Sequence, residues 1–417
     1  MNRLLITALT VYLGVSNGLG AEEFLVDHLD ELTMDERLTL RQVIDTTFER
    51  YPQSALITAF QEESRALEQR SSSWIAGYPM IYLQYIDDAL LGRDDGITNV
   101  QSGYQVPLWM WGQKEASQKV TEESKQAAEH YITALKHEIA GLVRNALWTL
   151  RLVENRRELA RRIYEVAEKL TAVVQRRVEL GDLARADLLL AESDQLEKKT
   201  LLVQAEAEVM HARKAYQNLT RMTRAPRRLE ETLTPIKQFD ERHPSLAAAN
   251  ASVERAQAEV ELTRHSKQGN QPTILVGTDS TQIDRQGTFG TGTNLVLQVP
   301  IGGDDWHAPQ VAQANIVLNE KIVQRETLRR QLEKALHEAW HTLSVDRAAL
   351  EIAERRKSIA ETQINMSRIA FEAGEIALID YLKIQAVAQA AIRDAAERAI
   401  LVQKDTALYN QVLGIMP

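Results

Sequence analysis

Residues 180–189 read Leu180-Gly181-Asp182-Leu183-Ala184-Arg185-Ala186-Asp187-Leu188-Leu189, and residues 373–382 read Ala373-Gly374-Glu375-Ile376-Ala377-Leu378-Ile379-Asp380-Tyr381-Leu382, 193 positions later. Each glycine interrupts a long stretch that is otherwise nearly free of helix breakers. No proline occurs from 108 to 225 or from 310 to 416, and the only other glycines inside those gaps are Gly112, Gly141 and Gly414. Proline removes a backbone donor and clashes with the preceding turn, so two such gaps predict very long helices. Apolar spacing agrees: Ile132, Leu135, Ile139, Leu142, Ala146, Leu150 and Val153 step by three and four, as do Leu328, Leu332, Leu336, Ala339 and Leu343. A helix from Gln113 to Leu180 would be a rod of ~100 Å. No globular core encloses such a rod, so it must lie against other rods, with Gly181 and Gly374 as tight reversals between antiparallel helices.

The offset of 193 recurs along the chain. It relates Pro79 to Pro272, Gln105-Val106-Pro107 to Gln298-Val299-Pro300, Thr149-Leu150 to Thr342-Leu343, and Asp187 to Asp380. Chance identities would scatter over many offsets, so the chain is a tandem duplication. The expected organisation is a first repeat at 21–222 (short helices, a β-hairpin at 78–109, helices 113–180 and 183–222), a linker at 223–243, and a second repeat at 244–417 (a hairpin at 272–301, helices 307–373 and 376–415).

The hairpins alternate. Val100, Ser102, Tyr104, Val106 and Leu108 form a largely apolar face against Asn99, Gln101, Gly103 and Gln105; Leu295, Leu297, Val299 and Ile301 alternate with Asn294, Val296 and Gln298. Strands of about nine to eleven residues with this pattern fit a transmembrane barrel wall or a half-buried soluble sheet. Trp74, Tyr78, Tyr82, Tyr85, Tyr104, Trp109 and Trp111 crowd around the first hairpin, as interfacial girdles do, and favour the membrane. Open strand edges are costly in lipid, so four strands must close with those of other copies, eight in a dimer or twelve in a trimer.

Composition narrows the function. Lys and Arg total 49 against 58 Asp and Glu, a net charge of -9, which argues against a general nucleic-acid binder. Cysteine is absent, which removes thiolate chemistry, disulfides and a thioether-linked lipid. Arg3, the apolar run Leu4–Val15 and the small residues at Gly18-Leu19-Gly20 read as a signal peptide at 1–20. The acidic run Asp87, Asp88, Arg93, Asp94, Asp95 reads as a solvated loop tip.

With these features the chain resembles the TolC family of outer-membrane efflux ducts across its mature length. The carrying residues are Leu38-Thr39-Leu40 before a short helix ending at Tyr51-Pro52, the Gln-Val-Pro strand ends and the two reversals quoted above. The resemblance implies a mostly α fold with a small β part: a homotrimer with a twelve-stranded outer-membrane barrel, four strands per chain, on a long α-helical barrel in the periplasm. It implies a passive conduit, not an enzyme, that has no cofactor and works with a periplasmic adaptor and an inner-membrane pump. It places adaptor docking at Leu180, Gly181, Asp182, Leu183 and Ala373, Gly374, Glu375, Ile376, and a periplasmic aperture at Asp187 and Asp380. Lys383 stands where some members have another aspartate. Asp187 and Asp380 fit helix capping as well as an aperture ring. The chain's brevity resembles the CzcC-type heavy-metal branch with RND pumps, although no His, Met or Cys cluster marks metal binding in transit.

One motif points elsewhere. His337-Glu338-Ala339-Trp340-His341 spells H-E-x-x-H, two imidazoles on one helical face with a glutamate base. It lies mid-rod with no third ligand downstream, and its repeat partner Arg144-Asn145-Ala146-Leu147-Trp148 has none of the ligands. A zinc hydrolase is thus one alternative, and a soluble periplasmic helical scaffold the other. His130 and His137, seven apart, read as surface residues.

Overall fold

Each long helix begins and ends where local chemistry dictates. In the computed structural model, which describes residues 32–88, 96–266 and 271–417, α3 (Gln113–Glu179) follows Gly112 at φ 75° and α6 (Asp304–Glu372) follows Gly303 at φ 82°, left-handed positions that favour glycine. Asp304 and Asp305 in the first turn of α6 complement the positive end of its dipole. This helix starts ahead of the expected 307 and carries Pro309 in its second turn. At 67 and 69 residues, both rods are ~100 Å long.

The remaining elements are shorter: β1 (Thr33–Asp35), α1 (Leu40–Arg50), α2 (Ala55–Ser72), β2 (Met80–Asp87), β3 (Thr98–Pro107), α4 (Arg185–Thr220), β4 (Arg224–Pro226), α5 (Pro244–His265), β5 (Thr273–Gln282), β6 (Gly290–Gln298) and α7 (Leu378–Val412). Helix α1 opens on a capping box in which Gln42 N–H donates to Thr39 Oγ1 at 3.3 Å and Thr39 N–H donates to Gln42 Oε1 at 2.9 Å.

Helix α3 runs between α4 and α7, and α7 between α3 and α6; towards the sheet, α2 and α5 flank α3, and α5 also packs on α6. The result is a palisade in which the shorter helices pack beside two full-length rods. Its main core lies midway along α3, where Leu135, Ile139, Val143, Leu147 and Leu150 pack with Val43 and Ile44 of α1 and Tyr216 of α4. The buried stripe is rotated from the expected one, since Leu142 is exposed: α3 is covered by neighbours on several sides, whereas the spacing rule assumes one buried face.

The core also overturns the reading of His137 as a surface residue. It is buried, with Nε2 2.9 Å from the Gln411 carbonyl and its ring 5.2 Å from that of His243. His130 is exposed.

Four strands form one antiparallel sheet in the order β2-β3-β5-β6, the two hairpins joined through β3 and β5. Strand β1 pairs in parallel with β4 near the rod midpoint. The proposed signal peptide at 1–20 and the loop residues Arg93, Asp94 and Asp95 lie outside the described residues.

Candidate functional site

The sheet register sorts side chains into two faces, because directly opposed residues point the same way. One row runs Ile81, Tyr104, Val276, Leu295, and another Val106, Ile274, Leu297. Leu83 and Tyr85 of β2 share that face. Most of these side chains are exposed, forming an apolar band with no core beneath it. The opposite rows are Tyr82, Gly103, Gly277, Asn294 and Gln84, Gln101, Asp279, Gly292. These rows are hydrogen-bonded and polar: Asn99 Nδ2 donates to Asp279 Oδ1 at 2.6 Å, Gln101 Nε2 to Asp279 Oδ2 at 3.0 Å, and Tyr82 to Gln84, while a row nearer the helices sets Met80, Leu275 and Val296 beside Gln105. Strands that are apolar on one side and polar on the other suit a wall between lipid and water.

Two glycines allow the sheet to coil. A Cβ on Gly277 would sit 2.0 Å from the Ser102 carbonyl oxygen and 2.6 Å from Gly103 Cα, so no side chain fits where β3 and β5 cross most closely. At the helix end of the sheet Trp74, Tyr78 and Trp111, with Ile301 and Trp306 of the second repeat, are 71–93% exposed. This placement matches an interfacial belt. Trp109 instead donates through Nε1 to the Ser73 carbonyl.

At the far end of the rods the two reversals share one geometry. Gly181 has φ 81° and Gly374 φ 75°. Gly181 N–H donates to the Val178 carbonyl (3.0 Å) and Asp182 N–H to that of Arg177 (2.9 Å); Gly374 and Glu375 do the same to Phe371 and Ala370 at 3.1 and 2.8 Å. Each is a Schellman cap with glycine at its left-handed position. A Cβ would meet nothing within 4 Å at either glycine, so conformation, not space, demands glycine there.

The tip residues divide by environment. Leu180, Gly181, Asp182, Ala373, Gly374 and Glu375 are exposed, with Leu180 at 64%. Leu183 and Ile376 pack inward against a small core of Val174, Ala191, Phe371, Leu378 and Tyr381, so the apolar surface beside the turns is narrower than expected. Asp187 Oδ2 accepts the Ala184 N–H at 3.3 Å and so caps α4. Asp380 is exposed, with Lys383 Nζ 3.6 Å away.

Arg177 ties the reversals together, a role that spacing could not reveal. Its Nη1 donates to the Phe371 carbonyl at 3.2 Å, and its guanidinium lies 5.4 Å from the Phe371 ring centroid, which stacks on Tyr381 at 5.2 Å. The Phe371 carbonyl, which already accepts the Gly374 N–H, thereby gains a cation at the negative end of the α6 dipole. The repeat partner of Arg177 is Ala370, so the clamp is asymmetric.

Midway along the rods, Arg144 is fully buried. Nε and Nη2 donate to the two Glu231 carboxylate oxygens at 2.9 and 2.7 Å, Nη2 also to the Ile415 carbonyl at 3.1 Å, and Nη1 to Gln411. One side chain thus ties the linker, α7 and the C-terminal tail to α3. Its repeat partner His337 is exposed, as are Glu338 and His341. The His337 and His341 rings are 6.4 Å apart, and Glu338 pairs with Lys334 at 3.7 Å. No group of three or more His, Asp or Glu able to hold a metal is found among the described residues. His337 lines a cleft of about 600 Å³ with Phe239, Leu336, Trp340 and Tyr409.

Comparison with known proteins agrees with this geometry. Residues 236–412 match the family model described as Outer membrane efflux protein. The chain is 25% identical over 295 residues to the cobalt-zinc-cadmium resistance protein CzcC of Cupriavidus metallidurans, spanning 67% of this chain and 68% of that one. Its fold is similar to the outer membrane protein VceC of Vibrio cholerae (TM-score 0.70, 14% identity, 90% of this chain and 96% of that chain). It is also similar to the CmeC outer membrane channel of Campylobacter jejuni (TM-score 0.69, 13% identity, 98% of this chain and 93% of that chain).

Proposed function

We propose that this chain, a member of the TolC-type outer membrane efflux family, is the outer-membrane duct of a tripartite export system. It assembles as a homotrimer and works with a periplasmic adaptor and an inner-membrane pump of the RND type. Heavy-metal cations are the proposed cargo, on the similarity to the cobalt-zinc-cadmium resistance protein.

The observation that carries the assembly is a match between the two open flanks of one chain. Helices α4 and α6 lie at opposite flanks of the palisade, and each bears exposed apolar residues seven positions apart: Leu189, Leu196 and Val203 on α4; Ile352, Ile359 and Met366 on α6. A seven-residue period keeps such a stripe on one helical seam. Leu189 and Met366 each stand eight residues from their turn glycine, Leu196 and Ile359 fifteen, Val203 and Ile352 twenty-two. The stripes therefore lie level, and α6 of one copy fits α4 of the next. Strands β2 and β6 likewise leave one unpaired edge on each side of the sheet. This head-to-tail contact closes a ring. An eight-stranded barrel is filled by its own side chains, so a wet duct favours the twelve strands of a trimer.

Absence of native cysteine makes the seam directly testable. Leu196→Cys combined with Ile359→Cys will cross-link copies into dimers and trimers on oxidation, and the detergent-purified protein will show threefold particles and conduct in planar bilayers. A chain that stays monomeric in detergent-free buffer and forms no pore would instead be a soluble scaffold.

The same reading makes the tips the adaptor-facing end, with Leu180, Asp182 and Glu375 outermost and Leu183 and Ile376 supporting them from beneath. Asp380 is the better aperture carboxylate, because Asp187 is engaged in capping. Three copies of Asp380 around one axis attract divalent cations despite the partial compensation by Lys383. Asp380→Asn will weaken block by divalent cations added on the periplasmic side in single-channel recordings; unchanged block removes this assignment.

A further inference from the structure

We infer that Asp279 is the charge-selecting residue of the barrel lumen and gives the pore a preference for cations. The inference rests on the threefold barrel proposed above.

The four barrel strands contain two charged residues, Asp279 in the middle of β5 and Asp87 at the last position of β2. None of the four carries Lys, Arg or His. Nearest in sequence among basic residues is Arg285, beyond the end of β5. Asp279 lies on the polar face, in the row with Gln84, Gln101 and Gly292. The opposite face carries the exposed apolar rows through Val276 and Ile274, with the hydroxyls of Ser102, Thr278 and Thr293 beside the Asp279 level, and a carboxylate directed to that face would be turned towards lipid.

The surroundings hold the carboxylate without neutralising it. Asn99 Nδ2 donates to Oδ1 at 2.6 Å, Gln101 Nε2 to Oδ2 at 3.0 Å, and Thr281 Oγ1 to Oδ1 at 3.2 Å. All three donors are uncharged, and Asn99 Nδ2 is itself braced by Thr281 Oγ1 at 2.7 Å. Beside Asp279 on β6 stands Gly292, where an added Cβ would meet nothing within 4 Å, so no side chain shields the acid on that side. Repeated by threefold symmetry, this gives a ring of fixed negative charge in a lumen wall that is otherwise neutral and is backed by low-dielectric lipid. Low-dielectric walls focus the field of such a ring into the lumen and raise the local concentration of cations. Rings of acidic side chains favour cations over anions. The placement suits positively charged cargo and disfavours anionic cargo at the exit from the duct.

Reversal potentials in a KCl gradient across planar bilayers test this. The wild-type pore will favour K⁺ over Cl⁻. In Asp279→Asn the permeability ratio will fall by about twofold or more, while Asp279→Glu, which keeps the charge, will retain the preference. Gly292→Asp, which adds a carboxylate in the same row, will raise it. Conducting Asp279→Asn pores with the wild-type ratio overturn the inference. Should that variant fail to assemble, an unchanged ratio in Gly292→Asp overturns it instead. A wild-type protein that forms no pore at all defeats the duct reading, an outcome distinct from either.

Discussion

Replacing Arg144 by Met will destabilise the folded chain by about 3–5 kcal/mol, the usual cost of removing one partner from a buried ion pair. Arg144 is fully buried and the Glu231 side chain is only 10% exposed. Losing the guanidinium leaves the Glu231 carboxylate without its bidentate partner and strips donors from Gln411 and the Ile415 carbonyl. The stranded charge dominates this cost, because Met fills most of the volume and an unpaired buried anion is far more expensive than a lost neutral hydrogen bond. The double variant Arg144→Met/Glu231→Leu will therefore recover much of the loss, since an ion pair replaced on both sides by apolar groups is often close to neutral. Chemical denaturation followed by circular dichroism, run as a double-mutant cycle, checks both statements. A single variant as stable as the wild type would show that the knot contributes nothing to holding the linker and tail on α3.

The sequence disclosed those parts of the fold that are written locally. A glycine at a left-handed helix end needs only its neighbours to act, so Gly181 and Gly374 marked the reversals without any tertiary information. The period-two pattern of residues 99–108 assigned the two faces of β3 for the same reason. Arg144 was illegible because its role depends on what wraps around α3. The offset of 193 makes it equivalent to His337, yet one is buried and the other exposed, since Glu231, Gln411 and the Ile415 carbonyl close over Arg144, whereas the linker residues beside His337 border an open cleft. A lone arginine next to Val143 and one turn from Leu147 was the available signal. It was obscured because the spacing stripe passed through Leu142 and Ala146 instead.

The candidate site was legible to a similar depth. Turn chemistry placed the tip residues, but it gave no direction for Leu183 and Ile376, which pack against Phe371, Leu378 and Tyr381 across a contact between the two repeats. The Arg177 clamp was invisible for the same reason: its acceptor, the Phe371 carbonyl, is 194 positions away. The heptad stripes of α4 and α6 were present in the sequence all along. They become readable as a seam only once both helices are known to be flanks and their residues exposed, because a seven-residue apolar period equally describes a helix packed within its own chain.

Acid will weaken the same midpoint knot. Burial first, then the neighbouring His243, pushes the His137 pKa down from the ordinary histidine range to about 4, and burial also lowers that of His243. The neutral ring suits its surroundings: Nε2–H donates to the Gln411 carbonyl at 2.9 Å, leaving Nδ1 to face the Gln411 amide at 3.4 Å. Because the folded pKa lies below the unfolded value, the unfolded chain binds more protons between the two. The contribution of His137 is therefore fully present above about pH 6.5 and is lost as pH falls towards 4. A depression of this size corresponds to roughly 3 kcal/mol at most, and His243 acts in the same direction. Unfolding free energy measured from pH 7.5 to 4.5 will decline through this window. His137→Gln keeps a donor near the Gln411 carbonyl but cannot titrate, so its decline will be shallower. Identical slopes in the two proteins would show that the acid sensitivity arises elsewhere and that the buried ring stays neutral or is solvated throughout the range.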